Sequence, residues 1–354
     1  MSNTPKPTSA PSIEPTSVMQ KPDDRPIAIS MGDPAGIGPE ILLKALCSSE
    51  RRAIAAIVFG DPGWLMRQAR SLGLERRLEN DDAIQWVKSC SVPTHLALAC
   101  ASAAGGQCAV ASVLAAADSV IRGACRALVT APLSKEAMHM AGYSYPGHTE
   151  LLSDLVGQRP VRMMLEHAYL RTVLHSIHLS LRDAIDALCA DKLMQTLRIA
   201  DQALSRLLGR KPALLLAALN PHAGEAGAFG REEIELLSPC VAEAQAQGIL
   251  IEGPLAADSV FARAWNNPQI DAVIALYHDQ GLIPIKLLGM DLGVNITLGL
   301  PFVRTSPDHG TAFDIAGKGI AREASLLAAL KAADHYSLKQ AYEHGAEGAS
   351  AVQS

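Results

Sequence analysis

The amino-acid sequence predicts an α/β fold with two lobes, and three observations lead to that prediction. Short β-branched runs alternate with longer helical segments, which is typical of a largely parallel sheet with helices on both faces. Hydrophobic residues make up 49% of the chain but aromatic residues only 4%, so the core is aliphatic. At 354 residues the chain exceeds the usual size of one domain, which favours two lobes, or one large body with an inserted lobe.

The predicted elements all follow residue 25. Strands are expected at residues 26–30, 55–60, 126–131, 213–219 and 271–277. Helices are expected at residues 39–47, 109–125, 190–209 and 231–248. In a sheet of this class ligands bind at the carboxyl ends of the strands or in a cleft between lobes. Polar motifs that directly follow a strand are therefore the candidates for a functional site.

The ends of the chain, its charge and its cysteines restrict which partners and which compartment are expected. Residues 1–25 are rich in Pro, Ser and Thr and lack the apolar stretch of a signal peptide, so we expect a disordered leader, a body over 26–335 and a tail over 336–354. A net charge of −5 provides no basic stripe for nucleic acid. Seven scattered cysteines without a C-x-x-C pair argue against a disulfide framework, and no apolar run predicts a membrane span. A cytoplasmic protein that binds a small molecule is expected.

The first strand runs into the glycine-rich segment MGDPAGIGPE, residues 31–40. Gly32 and Gly36 allow a tight turn and close backbone approach to a cofactor, although the spacing is not the G-x-G-x-x-G of a dinucleotide site. Plain strand-to-helix geometry is the alternative. Near the other end of the chain, Asp308 precedes a predicted helix after Thr311, so its carboxylate either caps that helix or reaches the cofactor.

The strand ending at Thr130 leads to Lys135 and then to the motif GHTE, residues 147–150. Thr149 can cap a helix that begins there, which is the structural alternative to a role in binding. His148, on a loop flanked by Gly and Pro, is less well explained by packing, because loops carry ligand-contacting groups disproportionately. This motif therefore favours a contact with substrate.

Three histidines follow strand-like runs. His178 lies three residues after His175 in the run 171–183, a spacing that puts the two on opposite faces of a strand. His222 lies in the loop LNPHAGE and His278 in the motif YHDQG. Single histidines in such places are usually structural hydrogen-bonders. Three of them, with a carboxylate such as Asp279 or Asp258, also make a plausible divalent-metal site with an open position.

Lys286, Asn295 and Arg304 are the polar exceptions in an apolar, glycine-punctuated stretch. A lysine, an amide and an arginine that converge form an anion site, since Arg grips phosphate or carboxylate with two hydrogen bonds. The alternative is three side chains whose charged or polar ends reach solvent at the surface.

Seven motifs occur in an order that resembles the 4-hydroxythreonine-4-phosphate dehydrogenase family of pyridoxal 5′-phosphate biosynthesis. They are GDPAGIGPE, TAPLSKEA, GHTE, LNPHAGE, YHDQG, GVNITLGLPFVRTS and DHGTAFDIAGKG, and they span roughly residues 26–335. The resemblance implies a two-lobed isocitrate/isopropylmalate dehydrogenase-like α/β/α fold with a central cleft. It also implies a homodimer whose active site lies at the interface.

Residue roles carried over from that family follow its motifs. The resemblance implies that a divalent metal, Zn, Co or Mg, binds to His178, His222 and His278, with ligands from both subunits. It implies that the substrate contacts His148, Thr149, Lys286, Asn295 and Arg304. Asp279 then supports the ligation of His278, Lys135 or a metal-bound water is the candidate base, and the cofactor contacts are Gly32, Gly36 and Asp308.

The implied reaction is NAD- or NADP-dependent oxidation of the C3 hydroxyl of 4-(phosphooxy)-L-threonine. Loss of carbon dioxide then gives 3-amino-2-oxopropyl phosphate. Relatives that oxidise threonate or erythronate 4-phosphate, or aromatic cis-dihydrodiol carboxylates, are the alternatives. A phosphoryl transferase is disfavoured because G-x-x-x-x-G-K-[ST] is absent, and a non-catalytic phosphometabolite-binding protein because the whole histidine set is retained.

Overall fold

The computed structural model describes residues 24–51, 54–289 and 292–350, the last stretch as backbone only from residue 339. The predicted leader, apart from Asp24 and Arg25, lies outside the described residues, as does the tail after residue 350. The described chain divides into two compact units. Among the described residues, unit 1 comprises those up to Gln158 together with Pro301–Ala341, and unit 2 comprises those of Arg159–Leu300 together with 342–350, the last turns of the helix that begins in unit 1.

Unit 1 is an α/β layer built on parallel strands. Its strands are β1 (Ile27–Ser30), β2 (Ala56–Gly60), β3 (Ile84–Lys88), β4 (Ala127–Thr130) and β11 (Val303–Pro307). They are ordered β3-β2-β1-β4-β11, and every pairing among them is parallel. Its helices are α1 (Gly38–Cys47), α2 (Pro62–Ser71), α3 (Glu75–Glu79), α4 (Ala103–Ile121), α5 (Lys135–Met140), α6 (His148–Leu155) and α12 (Ala324–Ser350). β1 and β4 are buried along their whole length and are mostly apolar, which is typical of parallel strands inside an α/β sheet.

Unit 2 has a mixed sheet. Its strands are β5 (Arg162–His167), β6 (Leu170–Leu174), β7 (Leu214–Ala217), β8 (Ile251–Leu255), β9 (Ala272–Ala275) and β10 (Val294–Leu298), ordered β10-β5-β6-β9-β7-β8. The first two pairings are antiparallel and the other three are parallel. Its helices are α7 (Leu181–Asp186), α8 (Ala190–Leu208), α9 (Ser238–Ala246), α10 (Ala257–Ala264) and α11 (His278–Leu288).

Local signals explain where several helices begin and end. The carboxylate of Asp61 accepts from the amide of Trp64 at the start of α2, and Ser102 accepts from Gly105 at the start of α4. Pro39 lies in the first turn of α1, where its missing N–H costs no hydrogen bond. The long helix α8 ends at Gly209, whose φ of 69° only glycine adopts at little cost.

The α/β class and the two-lobed organisation predicted from sequence are confirmed, and the five predicted strands correspond to β1, β2, β4, β7 and β9. The run 171–183 is shorter than predicted, because β6 ends at Leu174. The predicted helix 231–248 is in fact a π-helical turn, Glu233–Leu237, followed by α9. Five further strands, β3, β5, β8, β10 and β11, were not predicted from the sequence.

Helix α4 is long and apolar enough to cross a membrane by length and composition, which the inspection of the sequence overlooked. Most of its apolar stretch is buried inside unit 1. A buried core helix passes the same test, so this feature is weak support for a membrane span.

Candidate active site

The glycine-rich loop after β1 packs its backbone tightly against two other loops of unit 1. A Cβ on Gly32, whose φ is 74°, would lie 2.4 Å from the carbonyl oxygen of Pro132. A Cβ on Gly36 would lie 2.8 Å from the Cβ of Thr311. A larger residue does not fit at either position, because another loop of the same chain lies too close to the backbone. Their predicted contact with a cofactor stays a prediction.

Asp308 directly follows β11, on the loop that also carries Thr311. Its amide donates to the Ser325 hydroxyl (3.4 Å). The predicted helix after Thr311 is only a short 3₁₀ turn, Phe313–Ile315, so the suggestion that Asp308 caps that helix is wrong. Because Gly36 packs against Thr311, two predicted cofactor residues, Gly36 and Asp308, lie on adjoining loops.

Asp33, in the same glycine-rich loop, is a functional candidate that sequence inspection missed. Its side chain is fully buried, and Oδ1 accepts from the amide of Ala35 (2.9 Å). Oδ2 is buried and has no hydrogen-bond partner among the described residues. Burial raises the pKa of this carboxyl from 3.8 to about 6, partly offset by the bond from Ala35. The only signal in the sequence is an acidic residue between a glycine and a proline.

We expect Asp33→Asn to change how stability depends on pH. A carboxyl whose pKa is higher in the folded state contributes stability below pH 3.8 that is lost as pH rises through about 6. Asn keeps the acceptor for Ala35 and never ionises. Between pH 3.5 and 7.5 the free energy of unfolding of the variant, relative to wild type, should therefore rise by about 3 kcal/mol.

Urea denaturation at these two pH values measures that change. The matched control is Asp118→Asn, an exposed carboxylate on α4 that pairs with Arg122. If the stability curves of wild type and Asp33→Asn run parallel from pH 3.5 to 7.5, Asp33 is ionised at little cost and its assignment as a desolvated acid is wrong.

Arg304 lies in the core of unit 1, where an arginine needs a specific reason to be. It is 2% exposed, lies on β11 and donates to the hydroxyl of Thr130 at the end of β4 (2.6 Å). Burial lowers its pKa to about 10, and the carboxylate of Glu150 opposes that change. The alternative of a surface arginine is therefore wrong. A buried guanidinium is costly unless partners compensate its charge.

His148 and Thr149 lie beside this arginine at the start of α6. Gly147 is the N-cap, so the suggestion that Thr149 caps the helix is wrong; Thr149 lies in its first turn. Burial, together with the charge of Arg304, lowers the pKa of His148 well below its usual value, so its ring is neutral. Its Nε2 is buried without a hydrogen-bond partner in the part of the chain that the structure describes. The structure thus brings His148, Thr149 and Arg304 together, as the substrate prediction requires.

Lys135, the predicted base, begins α5 and is exposed. Its Cε would lie 3.8 Å from a Cβ built on Gly147, the residue before His148. The lysine is therefore next to the GHTE motif, while its role as a base stays a prediction.

In unit 2 the structure brings two of the three predicted metal ligands together. The rings of His178 and His278 have centroids 6.3 Å apart. The carboxylate of Asp279 accepts a hydrogen bond from Nδ1 of His278 (2.6 Å). This bond orients the ring and leaves Nε2 as the nitrogen for a metal. Zinc–nitrogen bonds are about 2.0–2.1 Å long, so the distance between the two ring centroids is compatible with one ion bound by both rings. These two imidazole rings are therefore suitable donors for a divalent cation.

His222 is not part of that pair. It lies on an exposed loop after β7, and its ring is 6.1 Å from that of Phe229. Within the described ranges, no group of three His, Cys, Asp or Glu side chains is placed to hold a metal ion. A complete site that uses His222 therefore needs a change of conformation or ligands from a second subunit.

Lys286 and Asn295 are the remaining predicted substrate residues, and both belong to unit 2. Lys286 lies in the last turn of α11 and is half-buried. Asn295 lies on β10, and its Oδ1 is buried with no hydrogen-bond partner among the described residues. An orphaned buried amide oxygen costs about 1–3 kcal/mol, which is typical of a group that waits for a ligand or water.

Two other polar residues near the histidines are structural. Gln280, 8% exposed, accepts from the amide of Leu276 and donates to the carbonyl of Ala218, both at 2.7 Å. His175 follows β6 rather than lying in it, so the alternation argument for His175 and His178 is wrong. His175 instead bonds the hydroxyl of Thr196 (2.9 Å), and burial lowers its pKa to about 4.

Comparison with known proteins places this arrangement in a family. Residues 52–333 match the family described as "Pyridoxal phosphate biosynthetic protein PdxA". A 4-hydroxythreonine-4-phosphate dehydrogenase from Beijerinckia indica is 45% identical over 334 residues, 91% of this chain and 98% of that protein. A D-threonate 4-phosphate dehydrogenase from Salmonella typhimurium is 42% identical, covering 88% of this chain and 98% of that protein.

A solved structure agrees with these relatives. The 4-hydroxythreonine-4-phosphate dehydrogenase from Klebsiella pneumoniae superposes with a TM-score of 0.80 at 39% identity, covering 88% of this chain and 99% of that chain. The family predicted from the ordered motifs is confirmed. This chain belongs to the pyridoxal phosphate biosynthetic protein PdxA family, a family of dehydrogenase enzymes.

Proposed function

We propose that this enzyme oxidises the C3 hydroxyl of 4-(phosphooxy)-L-threonine with NAD or NADP, giving 2-amino-3-oxo-4-(phosphooxy)butanoate. That product loses carbon dioxide to form 3-amino-2-oxopropyl phosphate. The observation that carries the proposal is the buried cluster of Arg304, Thr130 and the neutral His148 in unit 1.

We further propose that the enzyme acts in the cytoplasm.

The cluster supports a phosphorylated substrate because of its charge. A buried guanidinium bonded to a hydroxyl has donors suited to phosphate, and charge-assisted hydrogen bonds are about twice as strong as neutral ones. The neutral ring of His148 adds a donor or acceptor at Nε2, an atom without a partner among the described side chains. Thr149, 9% exposed, adds a hydroxyl beside it. In the proposal, Lys286 and Asn295 of unit 2 complete the substrate contacts.

The histidines support a divalent cation, which the proposal assigns to His178, His222 and His278. When bound, such an ion supplies Lewis acidity that lowers the pKa of the substrate hydroxyl and stabilises the charge that develops on its oxygen. Asp279 orients His278 through the 2.6 Å hydrogen bond to Nδ1. Zn, Co and Mg are the proposed candidates, and nitrogen donors favour Zn or Co over Mg.

The loops of unit 1 support a nicotinamide cofactor. The proposed contacts are Gly32, Gly36 and Asp308, which lie on adjoining loops of unit 1 because Gly36 packs against Thr311. Lys135, as the neutral amine, is the proposed acceptor of the hydroxyl proton, since its side chain lies beside the GHTE motif. The cofactor carries the hydride, while these residues orient it and exclude water.

D-threonate 4-phosphate is the second candidate substrate. It is favoured by the relative from Salmonella typhimurium, which is nearly as similar to this chain as the relatives named for 4-hydroxythreonine 4-phosphate. The two molecules share the phosphate and the hydroxy acid, and they differ at the substituent on C2. The cluster around Arg304 therefore does not distinguish them.

A panel assay tests the proposal. Formation of NADH or NADPH is followed with 4-(phosphooxy)-L-threonine, D-threonate 4-phosphate, erythronate 4-phosphate and an aromatic cis-dihydrodiol carboxylate, each with both cofactors and with Zn, Co or Mg. The highest kcat/KM is expected with the phosphothreonine. A preference for threonate 4-phosphate would select the second candidate, and a preference for the unphosphorylated diol would refute a phosphate-binding role for the cluster.

We also predict that the enzyme is a homodimer whose active site needs both subunits. Large apolar side chains are exposed on unit 2 beside the predicted ligands: Leu179 (49%), Ile283 (58%) and Leu287 (81%). Exposed apolar surface of this kind marks interfaces. Analytical ultracentrifugation should therefore show a dimer, and Leu287→Arg should weaken it and lower activity. Leu98→Arg, at an exposed leucine of unit 1, is the control. A fully active monomer on dilution would contradict the prediction.

A further inference from the structure

The loop that carries His222 has an unusual backbone. Five consecutive residues, His222 to Ala226, have φ between 43° and 79°, and only Gly224 among them is a glycine. A left-handed turn places each Cβ close to the following carbonyl, so residues with side chains adopt it only when surrounding contacts impose it. Contacts from residues outside the turn must therefore stabilise this backbone conformation.

The side chain of Glu233 holds this turn at its entry. Its Oε1 accepts from the backbone amides of Leu219 (2.9 Å) and Asn220 (2.8 Å), and its Oε2 accepts from the side-chain amide of Asn220 (2.9 Å). Glu233 is 3% exposed although it is an acidic residue. Three amide donors on one buried carboxylate satisfy its charge and fix the chain immediately before Pro221 and His222.

The turn and this carboxylate are also in direct steric contact. A Cβ on Gly224 would lie 2.7 Å from Oε2 of Glu233, so the middle of the left-handed turn packs directly on the carboxylate. Glu233 opens the π-helical turn Glu233–Leu237, an irregularity that is frequent at functional sites. Neighbouring Glu232 accepts a second bond from the side chain of Asn220 (2.7 Å). The turn held in this way begins at His222, whose side chain is exposed.

We propose that Glu233 is a positioning residue that fixes the left-handed turn of His222 and thereby sets the affinity of the protein for its divalent cation. This inference rests on the proposed role of His222 as a metal ligand. Glu233 makes no contact with the cation; it acts through the backbone of residues 219–226. Partners that orient ligands in this way are typically worth 10–100-fold in metal affinity.

The test is calorimetric titration of Co²⁺ and Zn²⁺ into chelator-stripped protein. We expect Glu233→Gln to weaken metal binding about tenfold, because Gln retains one acceptor but turns an amide donor towards Asn220. Asn220→Ala, which removes only side-chain bonds, should weaken binding by a smaller factor in the same direction. Glu235→Gln, an exposed residue of the same π-helical turn that pairs with Arg231, is the matched control and should stay within about twofold of wild type.

Two further measurements separate positioning from general damage. In Glu233→Gln, kcat at saturating Co²⁺ should return to near the wild-type value while the metal concentration for half-maximal rate rises about tenfold. Hydrogen exchange of the amides of Leu219 and Asn220 should accelerate in Glu233→Gln and stay unchanged in the control. A low kcat at saturating metal, or unchanged metal affinity in both Glu233→Gln and Asn220→Ala, would overturn the inference.

His222→Ala distinguishes the two levels of the proposal. If His222→Ala leaves metal affinity unchanged, His222 is not a ligand and the proposed metal set is wrong. If His222→Ala weakens binding while Glu233→Gln does not, the metal set stands and only the positioning role of Glu233 is refuted.

Discussion

Replacement of Arg304 by Met is expected to lower kcat/KM for a phosphorylated hydroxy acid by about ten- to a hundred-fold. Charge-assisted hydrogen bonds from a buried guanidinium to phosphate are worth about 1.5–3 kcal/mol, which corresponds to that range. Met fills much of the space left by the side chain and leaves no charge. For an unphosphorylated analogue the loss should be much smaller, because that molecule has no group for Arg304 to hold.

Steady-state kinetics on the two substrates measure this difference, with thermal melts to detect loss of fold. Arg51→Met is the matched control, because Arg51 is also a buried arginine of unit 1 (5% exposed) but pairs with Asp81, away from the cluster. Equal losses on both substrates in Arg304→Met would mean that Arg304 shapes the site without binding the phosphate.

Removal of the metal is expected to have the second large effect. Chelation should abolish NAD(P)H formation, and His278→Ala should lower both metal occupancy and turnover by about a hundredfold or more, since losing a direct ligand costs more than losing an orienting partner. Asp279→Asn, which keeps an oxygen near Nδ1 of His278 but loses the charge, should cost about tenfold.

Elemental analysis of the purified variants, together with activity on adding back Zn, Co or Mg, provides the measurement. His95→Ala, at an exposed histidine of unit 1, is the control and should retain metal and activity. Undiminished metal content in His278→Ala would remove His278 from the ligand set, and full activity after exhaustive chelation would remove the metal from the proposed chemistry.

Much of the fold was predictable because its signals are local. Buried strands such as β1, β4 and β9 are short β-branched runs, and Pro39 marks the beginning of α1. The missed strands have weaker patterns. β3 is half-exposed along its length, and β8 contains Gly and Pro, as strands with only one neighbour can. The other missed strands, β5, β10 and β11, have polar side chains within short runs, such as Arg162, Asn295 and Arg304.

The candidate site was predictable in its residue types but not in its grouping. His178 and His278 are separated by a hundred positions, and they meet because β6 pairs with β9, with Leu174 opposite Ala275. Arg304 reaches Thr130 because β11 pairs with β4, with Arg304 opposite Leu128. Strand order of this kind depends on which hydrophobic faces pack together, and no local spacing reports it.

The sequence by itself determined the α/β class, the family and the set of chemically competent residues, since motif order and periodicity are properties of the chain. Only the tertiary structure decided which of those residues meet and which groups support them. Asp33, Glu233 and Gln280 look like ordinary polar residues in the sequence. Their roles arise from burial and from amide donors 2.7–2.9 Å away, because desolvation makes a polar group expensive unless such partners are in place.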